Sequence, residues 1–548
     1  MRNIVFFKWQ TFEKYLSDFW NENQIDSPEK WKKLVPRILV IVGGFFILNK
    51  IIIRMVTMPF EVYYNDFLFF EFLKKCIPTY YLWVIVFLLL VFFCKKIFIP
   101  WASLQEGKTV RNFVLFVCAI LVWKHSTHDY NLLFDQGYYA DRILLVLSLI
   151  LVYWRPAFTI LFLCILFPLV GQLEVIEVFA RSTTFLLSRV IILFITFFLI
   201  NLFSKGFRFT DFVFMLGCLV AANYFVSGSG KIMLVEWIFN DQANNLIATT
   251  YANGWHSHLS SKSISELVRF MGMFNVPIRL FSVTVECGFA FMFFHIKWAR
   301  LLLFGAIIMH LGIIFYSGIF FWMWMLLIVA MLFIFRKKRF EEILIFNKRY
   351  FLVALVIIIS GRYWVGPSPK VWFDSPVNYT YKFEAEMENG SKQMLPPDYF
   401  SPYDVQFTFG SFKYLNDNDP LLEVLWGASG SRSLHAYFQK SMKTSEEIFE
   451  YEEKYGRIYT NKSSKDLFKK FIKDYVTNWN SGKGDKSLPS FLTAPRLLLT
   501  YPKWPDGPNE QKIIKVNVHE VTTYYSDETG YTEIRNRKLL SIPILKGD

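Results

Sequence analysis

Long apolar runs recur through the first two thirds of the chain and stop near residue 361. A helix that crosses the hydrocarbon core of a bilayer needs about 20 mostly apolar residues. The pattern is typical of a polytopic α-helical membrane domain with about 9–11 transmembrane helices. The predicted spans, several of them shorter than a full span, are 38–57, 80–96, 111–123, 142–154, 156–172, 184–204, 211–227, 279–297, 300–316, 318–335 and 350–361.

After residue 361 the apolar residues follow a different pattern. Residues 377–388 and 405–414 alternate apolar and polar positions and are rich in β-branched and aromatic side chains, which predicts strands. Further strands are expected at 496–501, 511–525 and 531–540, and the spacing of apolar residues predicts helix over 443–478. Residues 362–548 are numerous enough to form a core of their own. We therefore expect an extramembrane, β-rich α+β domain there, after a membrane domain at 38–361.

Composition agrees with a membrane protein. Of the 548 residues 54% are hydrophobic, including 60 Phe, whereas soluble domains average roughly 45–50% apolar residues. All six cysteines lie in or near predicted spans, and no Cys/His spacing is typical of a structural zinc site, so no metal site is predicted. Residues 1–37 are charged and aromatic, which favours a cytoplasmic amphipathic segment over a cleavable signal peptide.

The charge distribution predicts the orientation in the membrane. The formal net charge is +14, and nearly all of the excess lies beside predicted spans, as expected of cytoplasmic span ends rather than of a nucleic-acid binder. Alternation of eleven spans then places the N-terminus in the cytoplasm and residues 362–548 outside it. The sequence Trp154-Arg155-Pro156 leaves one alternative open: a single kinked helix over 142–172 would reverse everything downstream. Such a helix would be about 46 Å long, so two short spans fit the bilayer better.

Several ionisable residues fall at the outer ends of predicted spans. Charged and polar groups within a membrane are costly and are usually functional. Alternation brings these groups to one depth, which predicts a site. They are Lys231 at the end of the seventh span, Glu286 in the eighth, His310 in the ninth, and His125 and His128 after the third.

Each of these residues also has a structural interpretation, and the sequence leaves both open. Lys231 could extend to the lipid headgroups as an anchor. Glu286 could simply neutralise Lys231 or Arg279. His310 could be a hydrogen-bonded packing residue, and His128 with Asp129 could cap the next element.

Four short motifs resemble the vitamin K-dependent γ-glutamyl carboxylases and their relatives with an HTTM membrane domain. The resemblance covers about residues 110–340, and the order of membrane domain and external domain agrees with it. Its most specific part is the run that ends in Lys231. The motifs are Tyr224-Phe225-Val226-Ser227-Gly228-Ser229-Gly230-Lys231-Ile232, His128-Asp129-Tyr130, Trp237, and His310 with Gly318-Ile319-Phe320.

The resemblance implies an integral membrane enzyme that couples oxygenation of a reduced vitamin K-type quinone, with O₂ and CO₂, to modification of a peptide or protein substrate. Lys231 would be the base that deprotonates the quinol, and His128 would hydrogen-bond the quinol oxygen. Because desolvation disfavours a charged amine, a buried lysine can act as a base. The implied pocket residues are His125, Asp129, Tyr130, Tyr224, Trp237, Glu286, His310, Phe320 and Trp322.

The chain also departs from the carboxylase pattern. Ser229-Gly230 stands where carboxylases have bulkier or basic residues, and His128-Asp129 differs from their Asn-His-Ser setting. Two other functions therefore stay open: a non-redox HTTM-type protein for maturation or export of a secreted peptide, and a transporter. A glycine-interrupted span end would suit a transporter, but the sequence shows no inverted repeat. Membrane lipid is the one partner common to all of these functions.

Overall fold

A mostly helical part followed by a small antiparallel sheet makes up the computed structural model of the chain. The structure describes residues 28–56, 67–76, 84, 97–127, 138–172, 184–204, 208–233, 237, 243–336, 345–365, 375–410, 412–425, 428–429, 432–442, 444–483, 491–499 and 511–544.

Fourteen helices are described before residue 366. Three of them contain segments long and apolar enough to cross a membrane, Trp31–Ile52, Phe209–Ile232 and Ile296–Ser317, and three shorter helices are also strongly apolar. These helices indicate membrane association. The helices are α1 Pro28–Val56, α2 Leu68–Cys76, α3 Gly107–Ser126, α4 Tyr138–Trp154, α5 Phe158–Gln172, α6 Thr184–Ser204, α7 Phe209–Ile232, α8 Asn245–Ala252, α9 Ser261–Gly272, α10 Asn275–Gly288, α11 Ile296–Ser317, α12 Trp322–Arg336, α13 Lys348–Ile359 and α14 Gly361–Trp364.

The structure tests the predicted break at Trp154-Arg155-Pro156. Helices α4 and α5 are separate and lie side by side: Arg142 Nη2 at the start of α4 donates to Gln172 Oε1 at the end of α5 at 2.7 Å. Pro156 lacks the N–H that a continuous helix needs there, so the two-helix interpretation is confirmed. The proposed boundary at residue 37 falls inside α1. The span at 80–96 lies outside the described residues except for Val84.

One end of the helical part is held by a buried acid. Asp211 at the start of α7 accepts from Arg37 Nη2 of α1 at 3.0 Å and from the Tyr350 hydroxyl of α13 at 3.1 Å. The starts of α1, α7 and α13 therefore lie together. At the same end, the Phe209 N–H donates to Gln105 Oε1 just before α3.

The C-terminal part is built on one antiparallel sheet with strand order β2-β1-β5-β6. The predicted strands at 377–388, 511–525 and 531–540 are confirmed as β1, β5 and β6. The elements are β1 Val377–Met387, β2 Lys392–Leu395, α15 Asp404–Phe409, β3 Val424–Leu425, β4 Ala428–Ser429, α16 Arg432–Lys440, α17 Glu446–Tyr455, α18 Lys462–Asn478, β5 Ile513–Ser526 and β6 Gly530–Pro543.

Three predictions for this part need correction. Residues 405–414 are not a strand: helix α15 and a 3₁₀ turn occupy them, because Tyr403 and Phe407, four residues apart, both pack on Phe471 of α18. The predicted helix at 443–478 is two helices, α17 and α18, since Arg457 leaves the helix to pair with Leu421. Residues 491–499 contain a single bridge, Leu498 with Ile319, instead of the start of a strand.

Among the described residues, the C-terminal part contacts the helices in two regions. On one side, the Tyr531 N–H of β6 donates to Ser265 Oγ of α9 at 2.9 Å, and Thr380 Oγ1 donates to Asn253 Oδ1 after α8 at 2.8 Å. On the other side, residues 491–499 cover the ends of α3 and α11. Here Trp123 Nε1 donates to the Leu492 carbonyl at 2.8 Å, and the Leu499 N–H donates to the Gly318 carbonyl at 2.9 Å.

Candidate functional site

A buried ion pair joins the last turn of α7 to α10. Lys231 Nζ lies 2.8 Å from both carboxylate oxygens of Glu286, and the two residues are only 9% and 5% exposed. A lysine that anchors to headgroups would direct its ammonium group outward, whereas this one points into the helical part. In this structure Glu286 therefore neutralises Lys231, as one of the structural interpretations expected.

The close approach of α7 and α10 depends on Gly228. A Cβ atom added there would lie 2.7 Å from Glu286 Cβ and 2.8 Å from Cys287 Sγ, closer than two packed atoms can come. Gly228 stands one turn before Lys231, so the absence of a side chain at 228 lets the lysine reach the carboxylate. Gly228 lies within the continuous helix α7.

Three further groups surround the lysine. Lys231 Nζ is 5.0 Å from the centre of the Trp237 ring, a distance at which a cation and an aromatic face attract. The Trp237 carbonyl accepts from Arg279 Nη1 at 3.0 Å. Ser282 Oγ lies 3.4 Å from Lys231 Nζ and 3.7 Å from Met309 Sδ. Ser282 thus links the ion pair to α11.

A second polar pair lies between α7 and α11. The Tyr224 hydroxyl is 2.6 Å from His310 Nε2, and both residues are buried. Tyr224 also stacks on Phe289 with ring centroids 4.5 Å apart. His310 Nδ1 is buried and has no hydrogen-bond partner among the described residues. Because buried polar atoms are nearly always satisfied, this nitrogen is a candidate ligand contact.

Aromatic rings enclose the Tyr224–His310 pair on the side of α12. The His310 ring centroid is 5.3 Å from that of Phe321 and 6.2 Å from that of Trp324. The environment is therefore apolar except for the paired groups.

The remaining predicted residues lie elsewhere or outside the described chain. His125 is fully buried in the last turn of α3. Trp322 packs edge-on against Trp123 with centroids 5.3 Å apart, and the Phe320 N–H donates to the Leu497 carbonyl at 2.6 Å. These three lie where residues 491–499 cover the helix ends. His128, Asp129 and Tyr130 fall outside the described residues.

Sequence reasoning missed two polar residues. Ser282 stands four residues before Glu286, a spacing that places both on one face of a helix, so helical periodicity could have found it. Asp404 had no such signal because it was predicted to border a strand. It is 4% exposed, its Oδ2 has no hydrogen-bond partner among the described residues, and burial raises its pKa to about 7 against the opposing charge of Lys124.

His256 lies in a strained turn near the end of α11. Its φ is +55°, a left-handed conformation that is uncommon for residues other than glycine. Its Nε2 lies 3.2 Å from the Phe315 carbonyl. Burial lowers the pKa of this imidazole, so its neutral form is favoured.

Comparisons with known proteins add no identification. No protein-family model, no curated protein and no solved structure matches the chain. Among the described residues no group of three or more His, Cys, Asp or Glu side chains could hold a metal ion. A functional assignment therefore depends on the residues and geometry of the chain itself.

Proposed function

We propose that this chain is a multi-pass membrane enzyme in which Lys231 removes a proton from a reduced quinone of the vitamin K type. The observation that carries the proposal is the buried Lys231–Glu286 pair, in which Glu286 holds Lys231 Nζ with both oxygens at 2.8 Å. The resemblance of residues 224–232 to the carboxylase motif supplies the reaction class.

The arrangement of helix ends supports the multi-pass topology. Asp211 gathers the starts of α1, α7 and α13 at one end, as alternation requires of the first, seventh and eleventh predicted spans. The C-terminal part contacts the opposite end through Thr127 and Gly318. With the basic clusters on the cytoplasmic side, the C-terminal domain and the Lys231 end of α7 face outward.

Glu286 gives Lys231 a route to the neutral amine that a base must be. Two full charges in a region of low dielectric constant are costly even when they are paired. Transfer of one proton from Nζ to the carboxylate converts the ion pair into an amine beside a carboxylic acid. The amine can then accept a hydroxyl proton from a bound substrate, which restores the ammonium group. Glu286 is thus proposed as a positioning and proton-accepting residue.

The groups beside the pair fit an aromatic diol. His310 Nδ1 is buried and has no hydrogen-bond partner among the described residues, so it could bond to a hydroxyl group. The rings of Phe321 and Trp324 lie next to it. In the proposed reaction the quinol supplies four electrons to O₂, two in its oxidation to the quinone level and two in formation of the epoxide, so that one oxygen atom enters the epoxide and the other leaves as water. A peptide glutamate gains CO₂ in exchange for its γ-proton. His128 is kept as a proposed hydrogen-bond partner of the quinol oxygen.

An epoxide assay tests this function. The purified protein in phosphatidylcholine nanodiscs would be incubated with reduced vitamin K under air, and epoxide would be measured by mass spectrometry. We expect enzyme-dependent epoxide, and a loss of at least about 100-fold in Lys231→Met, since general base catalysis contributes roughly 10²–10⁴-fold.

A matched control separates catalysis from folding. Arg37→Met breaks a second ion pair, the partly buried Arg37–Asp211 pair at the other end of α7, and it should retain epoxide formation in the folded fraction. Absence of epoxide from the unmodified protein, or equal epoxide from Lys231→Met, would contradict the proposed reaction.

A non-redox role in maturation or export of a secreted peptide is the second candidate. The observation that favours it is the closure of the ion pair: both carboxylate oxygens are engaged by Lys231, which suits a purely structural contact. In that case replacement of both residues by apolar ones, Lys231→Met with Glu286→Leu, would leave peptide processing in cells unchanged. If the proposed enzyme function is correct, the same double variant would abolish modification of the peptide.

A further inference from the structure

An apolar surface lies open where α9 meets α10. It consists of Phe270, Met273, Phe274 and Val276, here called the junction surface, and all four side chains are exposed. Met273 is 67% exposed and Phe270 52%. Contiguous exposed apolar side chains of this size mark a surface that another molecule or a membrane covers.

Helix α9 buries one side against α8 and the sheet, and the junction surface lies on the side that stays exposed. Ile264 and Val268 are fully buried and pack with Ile247 of α8, and Ser265 and Arg269 hydrogen-bond to the β5–β6 hairpin. The buried apolar residues and the two polar side chains of α9 thus have partners in α8 and the sheet. Phe270 and Met273 extend beyond both contacts.

The level of the junction surface follows from the pairing of α10 with α11. Ser282 of α10 contacts Met309 of α11. From Ser282 back to Val276, and from Met309 on to Phe315, each helix rises by about 9 Å at 1.5 Å per residue. Val276 and Phe315 therefore lie at the same level, at the outer ends of their helices.

Helix α11 carries a band of exposed apolar side chains that ends at this level. Ile308, Leu311 and Phe315 are exposed, and α11 is one of the three helices long and apolar enough to cross a membrane. The junction surface lies at the level of the outer end of this band. A lipid bilayer is the occupant that covers both surfaces at once.

We infer that the junction surface lies in the outer leaflet of the bilayer, at the boundary between acyl chains and headgroups. The inference rests on the multi-pass arrangement of the proposed function. Ser282 lies beside Lys231 Nζ, so the Lys231–Glu286 pair lies about 9 Å below Val276, within the hydrocarbon. At this depth a substrate that dissolves in acyl chains, such as a quinol, reaches the pair from within the bilayer.

Photocrosslinking tests the position of the junction surface without any substrate or turnover. p-Benzoylphenylalanine would be incorporated in place of Phe274 in the full chain, reconstituted in phosphatidylcholine nanodiscs, and adducts would be identified by mass spectrometry after irradiation. The matched control places the same residue at Lys262, which is exposed on the first turn of the same helix. A thermal unfolding transition at the temperature of the unmodified protein confirms that both variants fold.

We expect phosphatidylcholine adducts from position 274 at a yield at least about tenfold above that from position 262. Adducts to a second copy of the chain would instead identify the junction surface as an interface between copies. Either that result or the absence of lipid adducts from position 274 overturns the inference. Epoxide formation is scored separately, so failure of the proposed reaction would not be mistaken for failure of this placement.

Discussion

At the scale of single residues, the Lys231–Glu286 pair sets the energetics of the site. Removal of one partner from a buried ion pair leaves an unpaired charge and costs about 3–5 kcal/mol, whereas replacement of both partners by apolar residues is often neutral or stabilising. We expect Lys231→Met and Glu286→Leu each to lower the free energy of unfolding by about 3 kcal/mol or more.

The double variant should be less destabilised than either single variant. Unfolding by titration from dodecylmaltoside into SDS would measure all three. Additive losses in the double variant would show that the two side chains do not interact in the folded protein.

Gly228 offers a second test at this scale. Gly228→Ala places a Cβ atom 2.7 Å from Glu286 Cβ, and such overpacking costs typically about 1–3 kcal/mol. Gly312 in α11 is a matched control, because a Cβ added there meets nothing within 4 Å. Gly312→Ala should be neutral or stabilise the helix by about 0.5–1 kcal/mol. Equal effects of the two substitutions on thermal unfolding would refute the close contact.

The sequence could predict which residues share a depth but not how they pair. Alternation of the spans placed Lys231, Glu286 and His310 near one level, and the structure joins the first two directly. The Tyr224–His310 hydrogen bond depends on the rotation of α7 about its own axis, and the close contacts of Gly228 with α10 help to fix that rotation. No local pattern contains that rotation, so neither hydrogen bond could be derived from spacing alone.

At the scale of elements, the periodicity of apolar residues predicted the long strands correctly but predicted a strand where a short segment is helical. The strands β1, β5 and β6 are long and uninterrupted, and their alternation predicted them correctly. Residues 405–414 alternate equally well, but Phe407 gains more from stacking on Phe400, with centroids 3.7 Å apart, than from an edge of the sheet. Tertiary packing overrides a short local pattern in such cases.

The β5–β6 turn allows a test of how the sheet contacts α9. Gly530 has a φ of +71°, and a Cβ added there would lie 2.7 Å from Ser265 Oγ. Gly390 has a φ of +81° with nothing within 4 Å, so Gly390→Ala reports the backbone strain alone. Gly530→Ala should therefore destabilise by about 1–3 kcal/mol more than Gly390→Ala.

Hydrogen exchange locates the effect of the Gly530 substitution. Faster amide exchange in α9 should appear in Gly530→Ala and be absent from Gly390→Ala. Unchanged exchange in α9 would mean that the turn does not hold the helix in solution.

At the scale of the whole molecule, the stability of the folded chain should respond to pH. Burial raises the pKa of Asp404 to about 7, so the folded protein holds this proton at pH values where the unfolded chain has lost it. Stability from this group is therefore greatest at low pH and falls as pH rises through about 7. Asp404→Asn should flatten that slope in thermal unfolding measured between pH 5 and 8.

His256 contributes with the opposite sign, because burial lowers its pKa and stability from it rises with pH. It is present in both proteins, so the difference between the unmodified chain and Asp404→Asn isolates the carboxyl group. Parallel pH profiles would remove Asp404 as the titrating group.

Orientation across the membrane is also a property of the whole molecule. Lys262 on α9 and Ser391 in the β1–β2 turn are exposed on the side of the C-terminal domain, and Lys297 is exposed at the start of α11. Single cysteines at 262 and 391 should react with an impermeant maleimide from one side of sealed proteoliposomes, above the background of the unmodified protein. A cysteine at 297 should react only after permeabilisation. Labelling of all three from one side would rule out the alternating arrangement.

The cover formed by residues 491–499 has a consequence for biosynthesis. Trp123 donates to the carbonyl of Leu492, 369 residues later in the chain. At a translation rate of about 5–20 residues per second, the end of α3 waits roughly 20 to 70 seconds for this partner. During that interval the end of α3 lacks this cover, and the end of α11 lacks it from the time that Ser317 is synthesised. A chaperone or lipid that shields them while the chain is still attached to the ribosome would act within that interval.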